Sequence, residues 1–186
     1  TRITLLQTRE FPATPFLDDK ILTDWNALYI ASLAYAARIF RDKSLEDSVK
    51  KSFSTLENTV TKNSTIFHRY RHNNIPITAF LEDVSCLAWA SWELFLLTSQ
   101  KEYQIKSESY CQILMTTFYD NRSGGFFTTS VDSEQTPFGR QKQWHDGAIP
   151  SGNSIACHIL AQLGTFTHNN EYLNAAFTTI LNHGEN

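Results

Sequence analysis

The stretch Trp25-Asn26-Ala27-Leu28-Tyr29-Ile30-Ala31-Ser32-Leu33-Ala34-Tyr35-Ala36-Ala37-Arg38-Ile39-Phe40 decides the fold class. It holds no Gly or Pro, and Trp25, Leu28, Ser32, Tyr35, Ala36 and Ile39 recur at helical spacing. Its other side carries Ala27, Ala31 and Ala34, so the helix is apolar or small nearly all round, as a helix buried between layers must be. Thr23 or Asp24 stands where an N-cap belongs.

Downstream, Ser44 with Asp47 forms a weak capping box, and Leu45, Val49, Phe53, Leu56 and Val60 make a one-sided stripe. The pair then recurs. Residues 83–98 are again apolar all round and 101–118 again one-sided, through Tyr103, Tyr110, Leu114 and Phe118. Residues 153–163 (Ile155, Ile159, Leu160, Leu163) and 170–181 (Leu173, Phe177, Ile180, Leu181) make a third pair. The openings advance by about 60 and then about 70 residues, the self-similarity of an array. Buried and half-buried helices alternating at that period predict an all-α chain of three helical hairpins stacked around an axis.

Two connections exceed simple turns. In 65–81, alternating Ile66, His68 and Tyr70 and the turn signal His72-Asn73-Asn74 predict a small β-hairpin. Residues 119–151 hold an Asn121-Arg122-Ser123-Gly124-Gly125 turn and a strand candidate, Phe126-Phe127-Thr128-Thr129. Both lead from an outer helix into the next inner one, so both lie at one end of the bundle. Loops of this length in a compact domain are usually functional or disordered.

Composition narrows the function classes. Hydrophobic residues make up 41%, aromatics 13% and charged residues 19%, with a formal net charge of −3. The densest basic clusters, Arg69–Arg71–His72 and Arg140–Lys142, are too small for a nucleic-acid footprint. No apolar run approaches the roughly 20 residues of a membrane span. Cys86, Cys111 and Cys157 lie apart inside helical patterns, without a CxxC pair, so they read as buried thiols of a reducing, cytoplasmic compartment. No phosphate loop, dinucleotide fingerprint or HExxH motif is present, and neither a metal nor a cofactor is expected.

Chemistry could sit at the inner-helix starts, where unpaired N–H groups and the helix dipole favour negative charge. Asp24 and Asp83 read first as caps, but Asp18-Asp19 and Glu82-Asp83 each offer a second carboxylate, which makes Asp19 and Glu82 candidates for binding a ligand. Trp25 and Trp144 could stack on a ligand ring, and Asn26, Ser151 and Asn153 supply polar contacts. Trp144-His145-Asp146 is the densest polar cluster. Moving a proton near neutral pH is a task for a histidine, and His145 and His68 are the loop candidates. His158 reads as a core histidine. Catalytic candidates are therefore Asp83, His145 and Asp146.

Three motifs carry a resemblance: Asp18-Asp19-Lys20-Ile21-Leu22-Thr23-Asp24-Trp25-Asn26, Phe80-Leu81-Glu82-Asp83, and Asp146-Gly147-Ala148-Ile149-Pro150-Ser151-Gly152-Asn153-Ser154. In this order they resemble the YyaL-type family, over nearly the whole chain. The chain departs from the family pattern at Ala27, where Gly is usual, and at Glu82-Asp83-Val84-Ser85, where Asp-Asp-Tyr-Ala is usual. The resemblance implies an N-terminal thioredoxin-like domain followed by an (α/α)6 toroid similar to N-acylglucosamine 2-epimerase. Three hairpins of six imply half a ring, a single fragment over residues 1–186. The upstream domain and the remaining hairpins would lie outside it, as the start at Thr1 also suggests.

Two functions follow as expectations. One is a sugar epimerase, isomerase or sugar-binding domain taking a mono- or disaccharide, with Asp19, Trp25, Asn26, Glu82, Asp83, His145 and Asp146 converging on one cavity. The other is an interaction scaffold for its own thioredoxin-like domain and toroid half, with the motifs serving as caps. In either case the exposed flanks of a half ring predict self-association.

Overall fold

The computed structural model describes residues 2–9, 17–71, 77–133 and 139–184, and the His72–Asn74 turn lies outside them. After α1 (Arg2–Arg9) come three helical hairpins: α2 (Thr23–Phe40) with α3 (Lys43–Val60), α4 (Leu81–Thr98) with α5 (Lys101–Ile113), and α6 (Gly152–Thr167) with α7 (Asn170–Gly184). A π-helical turn, Leu114–Phe118, ends α5 where one continuous helix was expected. The inner helices form a row, α2 against α4 and α4 against α6, and each outer helix packs on its own inner partner. This is the expected half toroid.

Each inner helix closes in the same way. Arg41, Ser99 and His168 take left-handed φ values of 54°, 59° and 56°. Each N–H bonds back to a carbonyl of its helix, at Ala37, Phe95 and Gly164. The next helix starts two residues later, so the partner must run antiparallel alongside. At the start of α3 the cap is Asp42, which accepts from the Leu45 N–H at 3.0 Å, rather than the predicted Ser44. Neither Thr23 nor Asp24 caps α2: the N-cap position is Leu22, and the Thr23 hydroxyl donates to the Phe67 carbonyl instead.

Burial follows prediction in the middle of the row and departs from it at the ends. α4 is buried almost all round because α2, α5 and α6 surround it. α3 buries the predicted Val49, Phe53, Leu56 and Val60. In α2, by contrast, the buried side is Ala27, Ile30, Ala31, Ala34 and Ala37, while the expected contact residues Trp25 and Ile39 are 60% and 55% exposed. α7 likewise buries Tyr172, Ala175, Ala176 and Thr179 and exposes Phe177, Ile180 and Leu181. Small residues let two helices approach closely, and the larger apolar side chains are left on the outer flanks. The three cysteines are buried and free, as expected. Among the described residues no helix is long and apolar enough to cross a membrane.

The long connections gather at one end, but their structure is not quite as predicted. β3 (Thr65–Tyr70) is the centre of four short antiparallel strands, pairing β1 (Ile21–Leu22), β2 (Thr61–Lys62) and β4 (Ile77–Thr78). Asn63 and Ser64, both with positive φ, make the tight β2–β3 turn. The strand expected at Phe126–Thr129 reduces to a single bridge, Tyr119 to Phe126. Arg140 ties that loop down by donating to the Thr117 and Thr129 carbonyls, and Lys142 pairs with Asp120 at 2.7 Å.

Candidate functional site

β3 brings His68 to the first turn of α4, where Asp83 is fully buried. The His68 Nδ1 lies 3.1 and 3.0 Å from the two Asp83 oxygens. Oδ1 also accepts the Asp24 N–H of α2 at 3.1 Å, and Oδ2 accepts the Phe80 N–H at 2.8 Å. One carboxylate thus holds α4's own first turn, the start of α2 and the imidazole together. Burial pushes the Asp83 carboxyl up to about 6, while the Phe80 N–H and His68 pull it back. With Nδ1 turned to the carboxylate, the imidazole keeps Nε2 for a second partner. His68 is 24% exposed and packs edge-on against Phe80.

Glu82, the neighbouring acid, turns the other way. Burial raises its carboxyl, and N–H groups of its own residue and of Gly152, the first residue of α6, lower it. The second carboxylate, read in the sequence as a spare, therefore has its own duty: Asp83 serves α2 and Glu82 serves α6. Gly152 is required there, because a Cβ would lie 2.6 Å from Leu81 Cγ and 3.1 Å from Glu82 Oε1.

A second group forms at the start of α6. Asp146 accepts from the Ser151 N–H and the Ser154 hydroxyl, both at 2.8 Å, and these bonds hold its carboxyl below the usual range. Ser151 caps the helix, accepting from the Ser154 N–H. The Asn153 amide is fully engaged with backbone: Oδ1 accepts the Phe126 N–H, and Nδ2 donates to the Phe126 and Gln143 carbonyls. Trp144 lies over Gly125, whose φ of 76° and missing Cβ admit the ring. It walls a cavity of about 400 Å³ with Asn153, Ser154, Cys157, His158 and Gln162.

The remaining candidates stand apart. Asp19 is exposed and pairs with Arg71 at 2.6 Å. Trp25 is exposed, and the exposed Asn26 donates to the Leu22 carbonyl. His145 is exposed on the loop. His158 is exposed as well, not the core histidine its helix suggested. The expected convergence on one cavity is replaced by two clusters, joined where Glu82 meets the Gly152 N–H.

Asp24, His68 and Asp83 each present one ligand atom, all within 4.8 Å of one another, a grouping no sequence motif announced. Both Asp83 oxygens already accept N–H groups, so a cation would have to displace the His68 bond. As it stands, the cluster is a hydrogen-bonded Asp–His pair. His68 was legible as a loop histidine; its partner was not, because the pairing spans two elements.

The fold defines the class: a helical-hairpin toroid of the kind found in sugar epimerases, isomerases and glycoside hydrolases. The GH76 α-mannanase of Bacteroides thetaiotaomicron superposes with a TM-score of 0.72 at 12% identity, over 92% of this chain and 45% of its own length. Cellobiose 2-epimerase from Bacillus thermoamylovorans gives 0.69 at 9% identity over 87% of this chain, and a D-mannose isomerase gives 0.68 at 15% over 91%. Among curated proteins, human spermatogenesis-associated protein 20 is 25% identical across 91% of this chain and 23% of its own length. No protein-family model matches the chain. The chain thus spans about a quarter of that relative and less than half of each solved toroid.

Proposed function

We propose that this chain is part of a sugar-isomerising or epimerising toroid in which His68, oriented by Asp83, moves the proton. The observation that carries the reading is the Asp83–His68 pair at the inner-helix starts, with Nδ1 held by the carboxylate and the imidazole partly exposed. In that role Nε2 takes the proton from the carbon beside the sugar carbonyl, and the buried Asp83 carboxylate stabilises the imidazolium that results. Further substrate contacts fall to Glu82 at this end and to Trp144, Ser151 and Asp146 around the start of α6. The kinship with sugar epimerases and isomerases supports the substrate class, and the order of the three motifs supports membership of the YyaL-type family. In that family the missing hairpins and a thioredoxin-like domain would complete the protein.

The test is proton exchange. Offered mannose or cellobiose in deuterium oxide, the protein should incorporate deuterium at carbon 2 by NMR, and His68→Ala should slow this at least about 100-fold. No incorporation by the wild-type protein rejects the reading.

One observation favours the scaffold reading instead. Asp83, Glu82 and Asp146 each accept N–H groups at helix starts, which is what a purely structural role requires. If exchange is absent and Asp83→Asn only lowers stability, the motifs serve the fold, and the search turns to protein partners.

A further inference from the structure

Three carboxylates meet where α2 and α4 start, and their charge is not matched. Asp24 is 8% exposed and Asp83 fully buried, with Glu82 beside them. Asp24 repels both neighbours, which raises the carboxyls of Glu82 and Asp83, and His68 opposes it at each. Among the described residues the one ion pair the three acids form is Asp83 with His68. Lys20 and Arg71 pair instead with Asp18 and Asp19. One imidazole thus stands against three acids, in a setting where unmatched charge is costly.

Asp24 is the member that the helix start does not explain. The cap position of α2 belongs to Leu22. Asp24 Oδ1 accepts the Trp25 N–H at 2.8 Å, and Oδ2 has no hydrogen-bond partner among the described residues. The residue is nevertheless nine-tenths buried and turned toward the pair: Asp24, His68 and Asp83 each bring one ligand atom within 4.8 Å of the others. Ligand atoms about 2.1 Å from a tetrahedral ion lie roughly 3.4 Å apart, so small side-chain rotations close this set around one.

The donors also select the ion. Two carboxylates and an imidazole suit zinc and its neighbours, whereas calcium and magnesium take oxygen ligands. Asp83 Oδ1 and Oδ2 accept the Asp24 and Phe80 N–H groups, outer bonds of the kind that orient a ligating carboxylate. Each oxygen keeps a second lone pair for a metal. His68 has only to change tautomer: Nδ1 gives its proton to water, Nε2 takes one from water, and the Nδ1 lone pair turns to the ion. The His68 side chain is 24% exposed, which gives the ion a way in from solvent.

We propose that Asp24, His68 and Asp83 form a binding site for a divalent cation of the zinc class, with the Asp83–His68 hydrogen bond as its metal-free state. The site goes beyond the proton-transfer reading and does not depend on it, because an ion on Nδ1 takes His68 away from Asp83. Titration calorimetry of the chelator-treated full chain with zinc chloride should show saturable binding, tighter than that of calcium. Asp24→Asn and His68→Ala should each weaken it at least about tenfold, while His158→Ala, at an exposed histidine of α6, should leave it unchanged. Asp24→Asn keeps an oxygen for the Trp25 N–H, and circular dichroism checks that each variant folds. In the wild-type protein zinc should shift the His68 ring signals in NMR, a readout that needs no variant. No saturable zinc binding, calcium as tight as zinc, unmoved His68 signals, or unchanged affinity in folded Asp24→Asn or His68→Ala overturns the proposal. Zinc binding with no deuterium exchange in the metal-free protein sinks the proton-transfer reading alone; exchange in the metal-free protein with no zinc binding sinks the ion site alone.

Discussion

Asp83 has no exposed surface, yet three N–H groups from three elements point at its carboxylate. Burial dominates and raises its carboxyl to about 6, against about 3.9 for the unfolded chain. Between those values the folded protein holds a proton that the unfolded chain has released. The favourable contribution is therefore full below about pH 4 and lost as pH rises through about 6. Thermal unfolding followed by circular dichroism should show it: the wild-type advantage over Asp83→Asn should shrink from pH 4 to 6.5. A constant difference would mean the carboxyl does not titrate in this window. The sequence made the acidic pair visible, but not the division of labour within it, because Asp83 and Glu82 serve helices 59 residues upstream and 70 downstream, as at Asp24.

At the scale of elements, Gly152 sets how closely α6 approaches α4. Gly152→Ala places a methyl 2.6 Å from Leu81 Cγ and 2.8 Å from Cδ2, so the helices must part. Urea unfolding should report a loss of about 1–3 kcal/mol, while Gly147→Ala, which meets open space, should be near neutral. Equal stabilities would mean the contact gives way freely. The one-sided stripe of α3 was legible because only one of its faces is apolar. α2 and α7 misled: both sides of α2 are apolar, and periodicity counts spacing without saying which side finds a neighbour. The two-residue closures at Arg41, Ser99 and His168 were hidden as well, since the left-handed residue is not glycine in any of them.

Across the whole molecule, the row of inner helices is open at both ends. α2 presents Trp25, Tyr29, Tyr35 and Ile39 on one flank, and α7 presents Phe177, Ile180 and Leu181 on the other. Contiguous apolar patches of this kind mark interaction surfaces. Sedimentation velocity over roughly 1–100 μM should show concentration-dependent association, weakened by the double change Tyr29→Glu and Phe177→Glu. A monomer throughout that range would show that the flanks need no cover. The sequence by itself determined the all-α class, the three hairpins and the end at which the long loops gather, because periodicity, small breaker content and repeat spacing are local properties of the chain. Only the tertiary structure decided that His68 belongs with Asp83, that Glu82 belongs to α6, and which faces of α2 and α7 are buried. Those outcomes depend on which distant element arrives alongside, and no local pattern encodes that.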